Sequence, residues 1–190
     1  TKDVRARFRR NLLYDGMADL AVRISRIDDP AFRRRALIVE GREMLDRERI
    51  AGPGALVLGF RLGAYPVIPM AMGALGYDVT MIVGSNEIMR QAQGLGEEFA
   101  PDANGHVRYV CAQDSLVLAR SLEALNQGRL VSTLMELSSL NFAKTAEVKF
   151  LDWTVRVPYG IPYLAAMTKR SIVPAVLTRG AGMRYKLRFL

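Results

Sequence analysis

The single histidine, His106, and the single cysteine, Cys111, belong to the residue types that most often supply a general base and a nucleophile. They lie five positions apart across a predicted strand, and an odd separation directs two side chains to opposite faces. We therefore interpret Cys111 as a small buried residue and His106 as a residue of a loop or strand edge. A zinc site would need carboxylates for its remaining ligands, which is unusual, so we predict no metal site.

The segment Gly59–Gly63 leaves an apolar run and enters an apolar helix, an arrangement that suits phosphate binding at a helix N-terminus. It lacks the three-glycine fingerprint of dinucleotide-binding proteins and the Lys-Ser/Thr pair of a P-loop. We therefore predict that these glycines allow close packing of strand against helix, and we predict no bound cofactor.

Two other groups of side chains have both a binding and a structural interpretation. Arg33–Arg35 and the C-terminal basic residues could contact phosphates of RNA or anionic lipid, but we favour a solvated basic face. Four methionines could line a tolerant acyl pocket, but we favour core filling. These are Met70, Met72, Met81 and Met89.

An alternating series of strands and helices must position these residues. The run Ala55–Phe60 is apolar throughout, as expected of a strand that is buried on both faces. Further strands are predicted at 79–83, 107–110, 130–134, 148–150, 172–177 and 184–189, and helices over about 87–98, 115–126 and 163–169. This alternation predicts an α/β fold with a mainly parallel mixed sheet flanked by helices.

Helical spacing of apolar residues predicts two more helices before this core, over Val4 to about Arg26 and Ala31 to about Arg49, separated by Asp29-Pro30. We predict a single domain over residues 1–190, with a helical lead-in over 1–50 and an α/β core over 51–190. Because the sequence begins at Thr1 and ends at Leu190, we interpret it as a fragment of a longer chain.

Charge is unevenly distributed, with 13 basic and 9 acidic side chains in residues 1–50, 5 and 8 in 51–139, and 9 and 2 in 140–190. Half of the residues are apolar, which excludes the signature of disorder. A lone cysteine cannot form an intrachain disulfide, so we expect a cytoplasmic location. The longest uncharged run, 62–77, is too short to span a bilayer, so we predict a buried core segment and only peripheral membrane contact.

Ligands of parallel α/β sheets usually bind beyond the carboxyl ends of the strands. That rule selects the stretches Gly59–Tyr65, Glu136–Leu140 and Thr178–Gly182.

The first of these stretches carries a resemblance to the lipid A biosynthesis acyltransferase family, within the glycerolipid acyltransferase group. It begins at Leu58-Gly59-Phe60-Arg61-Leu62-Gly63-Ala64-Tyr65-Pro66. Segments at 126–131, 134–136, 148–150, 163–165 and 171–179 follow in the family's order and approximate spacing. The resemblance covers about residues 50–190 and implies a glycerolipid acyltransferase-like domain.

In that family a histidine deprotonates the acceptor hydroxyl, a carboxylate five positions later orients it, and acyl carrier protein or coenzyme A supplies the thioester. Alignment on Gly63 puts Arg61 at the histidine position and Pro66 at the carboxylate position. Arginine remains protonated and proline has no acceptor side chain, so neither can perform these roles. The resemblance therefore implies a degenerate active site.

On this basis we expect a divergent acyltransferase that moves an acyl group from a thioester donor to a small-molecule or lipid acceptor. Arg61 would stabilise an oxyanion or bind an anion, and Glu136, where the family shows a strand-end Asp, would serve as the base. Gly63, Tyr65 and Arg179 would bind substrate. Helix capping or an ion pair is the alternative role for Glu136, and an ion pair is the alternative for Arg179.

Two other functions stay open. The chain could be a catalytically inactive acyltransferase-like protein that keeps the groove for the acyl group or its carrier as a binding surface. It could also be a transferase that uses an aminoacyl-tRNA donor, which the basic C-terminal block permits. The expected partners are acyl carrier protein or a coenzyme A thioester, an anionic surface of the inner membrane, and, with least support, tRNA.

Overall fold

A computed structural model describes residues 29–63, 65–84, 106–135, 145–179 and 184–190. The helices are α1 (Pro30–Ala36), α2 (Arg42–Ala51), α3 (Ile68–Ala74), α4 (Val117–Asn126) and α5 (Gly160–Thr168), and a 3₁₀ turn, Tyr65–Val67, precedes α3. The strands are β1 (Leu37–Glu40), β2 (Ala55–Gly63), β3 (Val79–Val83), β4 (Val107–Cys111), β5 (Leu130–Leu134), β6 (Thr145–Phe150), β7 (Trp153–Pro158), β8 (Ile172–Arg179) and β9 (Tyr185–Phe189).

Seven strands form one mixed sheet in the order β1-β9-β8-β2-β5-β3-β4. Strands β8, β2, β5, β3 and β4 are parallel to one another, while β9 pairs antiparallel with β8 and parallel with β1. The predicted α/β class with a mainly parallel mixed sheet is therefore confirmed. We call the edge at which the five parallel strands begin the amino edge, and the edge at which they end the carboxyl edge.

Helices cover both faces of this sheet. On the first face, α2 and α3 contribute Leu45, Ile68 and Met72 to a core that includes Val57 of β2. On the second face, α4 and α5 contribute Leu125 and Leu164 to a core that includes Leu56 and Val131. Adjacent residues of β2 thus serve opposite cores, as the unbroken apolar run at 55–60 predicts.

The core assignments made from the sequence hold wherever the structure describes them. The middle of the uncharged run 62–77 forms α3, whose residues Ile68 to Gly73 are all buried. Met70, Met72 and Met81 are buried, as core filling predicts, whereas Met89 lies outside the described ranges. In the parts of the chain that the structure describes, no helix is long and apolar enough to cross a membrane.

The expected helical lead-in is interrupted by a strand. A helix begins at Pro30, one residue before the predicted start, with Asp29 as its N-cap, but it ends at Ala36 and β1 follows. The apolar run Leu37–Val39 favours a strand once β9 supplies a partner, and that partner is remote in sequence. The helix predicted at 31–49 is therefore wrong over residues 37–41, and the one predicted over 4–26 lies outside the described residues.

Gly41 makes the reversal between β1 and α2. Its φ is +73°, in the left-handed region that favours glycine, and a Cβ atom there would overlap the carbonyl oxygen of Phe189. The chain can therefore turn from strand to helix only because this position has no side chain.

Residues 145–158 form a separate two-stranded antiparallel hairpin, β6–β7. The sequence predicts a strand only at 148–150 and a turn-rich segment from Val157 to Pro162. The structure corrects this, because Trp153–Pro158 is a second strand and α5 begins at Gly160. The missed signal was the period-two alternation of Trp153, Val155 and Val157.

Candidate functional site

The strands β2 and β5 form a topological switch point at the carboxyl edge. They are adjacent and parallel, with Gly59 opposite Leu134. After β2 the chain continues into α3 on the first face, whereas after β5 it continues through the hairpin into α5 on the second face. Because the two connections diverge to opposite faces, this point is where open α/β sheets bind their ligands, and we call it the candidate crevice.

A β-bulge distorts β2 at this point. Gly59 pairs with Ala175 of β8 and Gly63 pairs with Leu177, so β2 advances four residues while β8 advances two. Bulges of this kind bend a strand, re-aim its side chains and are over-represented beside active sites. Arg61 is the middle residue of the bulge. The sequence predicts that the strand ends at Phe60 and that Gly59–Gly63 leads into a helix, but the strand continues to Gly63.

Most of the predicted site residues share this edge. Arg61 and Gly63 lie in the last three positions of β2, and Arg179 is the last residue of β8, two positions beyond the partner of Gly63. Tyr65 opens the 3₁₀ turn that follows β2. Glu136 lies outside the described residues, one position after Met135, whose backbone N–H donates to the carbonyl oxygen of Gly59.

Tyr65 packs between two apolar clusters at the carboxyl edge. It is half-buried and packs against both the core of the first face and a small cluster of Met81, Val83 and Leu134. That cluster lies towards the carboxyl ends of β3 and β5, so Tyr65 is at the carboxyl edge of the sheet. A tyrosine suits this place because its ring is apolar and its hydroxyl is polar.

The only histidine is at the opposite edge of the sheet. His106 precedes β4, where its Nδ1 lies 2.7 Å from Oδ1 of Asp78, which in turn precedes β3. Both side chains are partly exposed. This confirms that His106 is a strand-edge residue, and it adds a carboxylate partner that sequence reasoning missed. No sequence motif links Asp78 to His106, because parallel pairing of β3 with β4 brings them together.

Beside this pair, Arg129 ties together the beginnings of three strands. Its guanidinium is buried and donates to Thr80 Oγ1 at 2.9 Å, to the carbonyl oxygen of Val79 at 2.7 Å and to that of His106 at 2.8 Å. Its Nη1 also lies 3.9 Å from Asp78. The arrangement satisfies a buried charge with several acceptors, and it fixes β3, β4 and β5 relative to one another.

A second polar group at the amino edge surrounds Tyr77. The ring is buried, and its hydroxyl accepts a hydrogen bond from Arg42 and donates one to Asp46, each at 2.8 Å. Burial, followed by the hydrogen bond to Asp46, raises the pKa of the Tyr77 phenol above its usual value of 10.0. A shallow cleft of about 440 Å³ lies nearby, with walls that include Asp46, Arg49 and Gly54.

These amino-edge groups are structural in their geometry. Each is paired with a backbone or side-chain partner that fixes a strand or helix end, and the edge is opposite to the one at which parallel sheets bind ligands.

Cys111 is buried at the end of β4, as predicted. Within the described ranges, no three His, Cys, Asp or Glu side chains come close enough to hold a metal ion.

Comparison with known proteins supplies no relative: no family model matches the chain, and no curated protein is significantly similar to it.

Proposed function

We propose that this chain is a divergent acyltransferase that transfers an acyl group from a thioester donor to a small-molecule or lipid acceptor. The observation that supports it best is the bulge in the central strand β2, which puts Arg61 at the switch point of the sheet. The resemblance at residues 58–66, whose motif spans this bulge, supplies the reaction class. We further propose a cytoplasmic protein that contacts the membrane only peripherally.

The proposed chemistry uses two arginines and one carboxylate. Arg61 and Arg179 belong to the ends of the neighbouring strands β2 and β8. We assign Arg61 to the oxyanion of the reacting carbonyl and Arg179 to an anionic group of the substrate. Arginine remains protonated, so neither residue can serve as the base. We assign that role to Glu136, which comes two positions after the last residue of β5 in the sequence.

In the proposed step, the acceptor hydroxyl oxygen forms a bond to the thioester carbonyl carbon and its proton passes to the carboxylate of Glu136. The resulting oxyanion is stabilised by Arg61. Collapse of this intermediate breaks the carbon–sulfur bond, and the departing thiolate takes the proton from Glu136. The products are an ester and a free thiol, and no oxidant or reductant is consumed.

The test measures thiol release from acyl-coenzyme A and acyl-carrier-protein donors by the full chain, with candidate hydroxyl acceptors. We expect Glu136→Gln and Arg61→Ala each to lower turnover by at least about a hundredfold, the usual effect of losing a general base or an oxyanion donor. Arg108→Ala is the matched control, because Arg108 is an exposed arginine on the edge strand β4 and should leave turnover unchanged.

Turnover that survives both Glu136→Gln and Arg61→Ala would refute the assigned roles while leaving an enzyme. Absence of thiol release with every donor would favour the second candidate, an inactive acyltransferase-like protein that binds the donor. The position of His106 supports that candidate, because the only histidine is paired with Asp78 at the amino edge rather than at the crevice. Salt-sensitive binding of tRNA would favour the third candidate, an aminoacyl-tRNA-dependent transferase.

A further inference from the structure

The β6–β7 hairpin has one apolar and one polar face. Its register pairs Ala146 with Val157, Val148 with Val155 and Phe150 with Trp153. Because side chains alternate along a strand, all six of these apolar residues share one face. The opposite face carries Lys149 with Thr154, and Glu147 with Arg156, the latter two joined by an ion pair of 3.0 Å.

Exposure of the apolar face increases from base to tip. Ala146, Val148, Val155 and Val157 are half-buried, whereas Phe150 and Trp153 are 64% and 74% exposed. Leu151, in the turn between the strands, is 83% exposed. Three adjoining large apolar side chains at the end of a projecting element are unusual for a surface that meets only water.

The turn itself carries backbone strain. Leu151 has a φ of +53°, a left-handed conformation that is unfavourable for a bulky residue and that Asn or Gly adopts more readily. Leucine at this position therefore benefits neither the turn nor the core. Its side chain adds apolar surface at the outermost point of the hairpin.

The charge around the hairpin indicates what it meets. Residues 140–190 carry nine basic and two acidic side chains. Both acidic ones, Glu147 and Asp152, lie in the hairpin with Lys149 and Arg156, so the excess of seven positive charges belongs to the rest of this segment. The chain passes from the hairpin directly into α5, which returns to the beginning of β8, so the base of the hairpin is at the carboxyl edge. The last residues of β2 and β8, including Arg61 and Arg179, are at this edge, and exposed Arg184 precedes β9 there. An aromatic and aliphatic tip beside a basic surface is the combination that binds the interface of an anionic bilayer.

We propose that the tip Phe150-Leu151-Asp152-Trp153 inserts into the interface of an anionic lipid bilayer and docks the carboxyl edge of the sheet against it. Phe150, Leu151 and Trp153 enter the boundary between headgroups and acyl chains. Lys149 remains at headgroup level on the polar face of the hairpin. Asp152 carries the one charge at the tip that opposes binding. This inference does not depend on acyl transfer.

Trp153 provides a direct test, because it is the only tryptophan of the chain and lies at the proposed contact. The purified full chain is mixed with vesicles of phosphatidylcholine containing an equal part of phosphatidylglycerol, and with vesicles of phosphatidylcholine alone. Tryptophan emission and co-sedimentation are measured together. We expect a blue shift and sedimentation with the anionic vesicles, and weaker binding to the neutral ones.

Leu151→Asn should weaken binding to the anionic vesicles about tenfold, because it removes a leucine side chain from the inserted tip. Asparagine tolerates the left-handed backbone, so the hairpin should stay folded. Ile50→Asn is the matched control, since Ile50 is 87% exposed in α2, beside the amino edge. Asp152→Asn should strengthen binding, and Lys149→Gln should weaken it about fivefold on anionic vesicles only.

Three results would overturn the proposal. The first is an absence of both the blue shift and co-sedimentation. The second is an equal loss of binding in Ile50→Asn and Leu151→Asn, which would indicate unspecific adhesion. The third is emission typical of a buried indole before vesicles are added, which would show that another part of the chain or a second copy already covers Trp153.

Discussion

Replacing Arg129 with methionine should destabilise the fold more than the same replacement of any other arginine whose contacts the structure describes. The guanidinium donates hydrogen bonds to Thr80 Oγ1 and to the carbonyl oxygens of Val79 and His106. Methionine fills a similar volume without polar atoms, so the substitution removes these bonds without leaving a large cavity.

The magnitude follows from the acceptors that remain. The carbonyl oxygen of His106 keeps a bond from the N–H of Val79, at 2.7 Å, so it does not become fully unsatisfied. Three bonds at about 1 to 1.5 kcal/mol each give a gross loss of about 4 kcal/mol. Methionine also removes the free-energy cost of burying a charge, which offsets part of this loss and leaves a net loss of about 3 kcal/mol.

Urea unfolding followed by far-ultraviolet circular dichroism measures this effect. Fluorescence is a poor probe here because the only tryptophan, Trp153, is already exposed in the folded state. With a slope near 2 kcal/mol per molar urea, the midpoint should fall by about 1.5 M. Arg129→Lys should cause a smaller loss, because an ammonium cannot reproduce the fork of donors. Arg108→Met, at an exposed position, should stay within about 0.5 kcal/mol.

A loss below about 1 kcal/mol in Arg129→Met, or any gain in stability, would refute this reasoning. It would mean that desolvation of the guanidinium destabilises the fold by as much as its hydrogen bonds stabilise it, as is observed for some buried ion pairs. The strand beginnings would then be fixed by the apolar core alone.

Three further predictions concern the amino edge and its neighbours. Gly41→Ala should lower the free energy of unfolding in urea by about 2 kcal/mol or more, because the new Cβ would clash with Phe189. Gly76 has a φ of +87° but open space around it, so Gly76→Ala should lower that free energy by only about 1 kcal/mol, through backbone strain. Because the pKa of Tyr77 is raised in the folded state, its contribution to stability is complete below pH 10.0 and is lost as the pH rises through the folded-state pKa. An absorbance titration should therefore show a tyrosine that ionises at higher pH than the others, and Tyr77→Phe should remove it. The hydrogen bonds from Lys186 and then Arg188 lower the pKa of the Glu40 carboxyl below 4.5, so the stability that Glu40 adds is present above that pH and is lost as the pH falls. Glu40→Gln should therefore make the loss of stability in acid less steep, and an unchanged loss of stability in acid would contradict this pairing.

The central strands were predictable because their signals are local. Strands β3 and β5 begin and end at the predicted residues, since each is an apolar run bounded by turn-forming or polar residues. Strand β1 was missed because its stability depends on β9, and Glu40 contacts Arg188 across 148 positions of sequence. Propensity alone could not separate a four-residue strand from the helices on either side.

The sequence predicted where a candidate site should lie but not the local geometry of its strands. The rule that ligands bind at carboxyl ends of strands selected Arg61, Tyr65 and Arg179, and the sheet order brings their strand ends to neighbouring positions. The bulge could not be predicted, because it exists only relative to the register of β8. The contact of His106 with Asp78 was equally hidden, since it depends on the pairing of two strands.

The amino edge of the sheet carries residues that stabilise the fold, whereas the carboxyl edge carries the residues of the proposed function. At the amino edge, Arg129 and Asp78 have partners that fix strand beginnings, and changes there should act on the folded fraction. At the carboxyl edge, the bulge around Arg61 interrupts regular pairing, which costs stability and is retained in proteins where it positions a side chain. Removing the bulge should therefore stabilise the fold while abolishing ligand binding. If it destabilised the fold instead, the bulge would be a structural feature, and the main support for the crevice as a site would be lost.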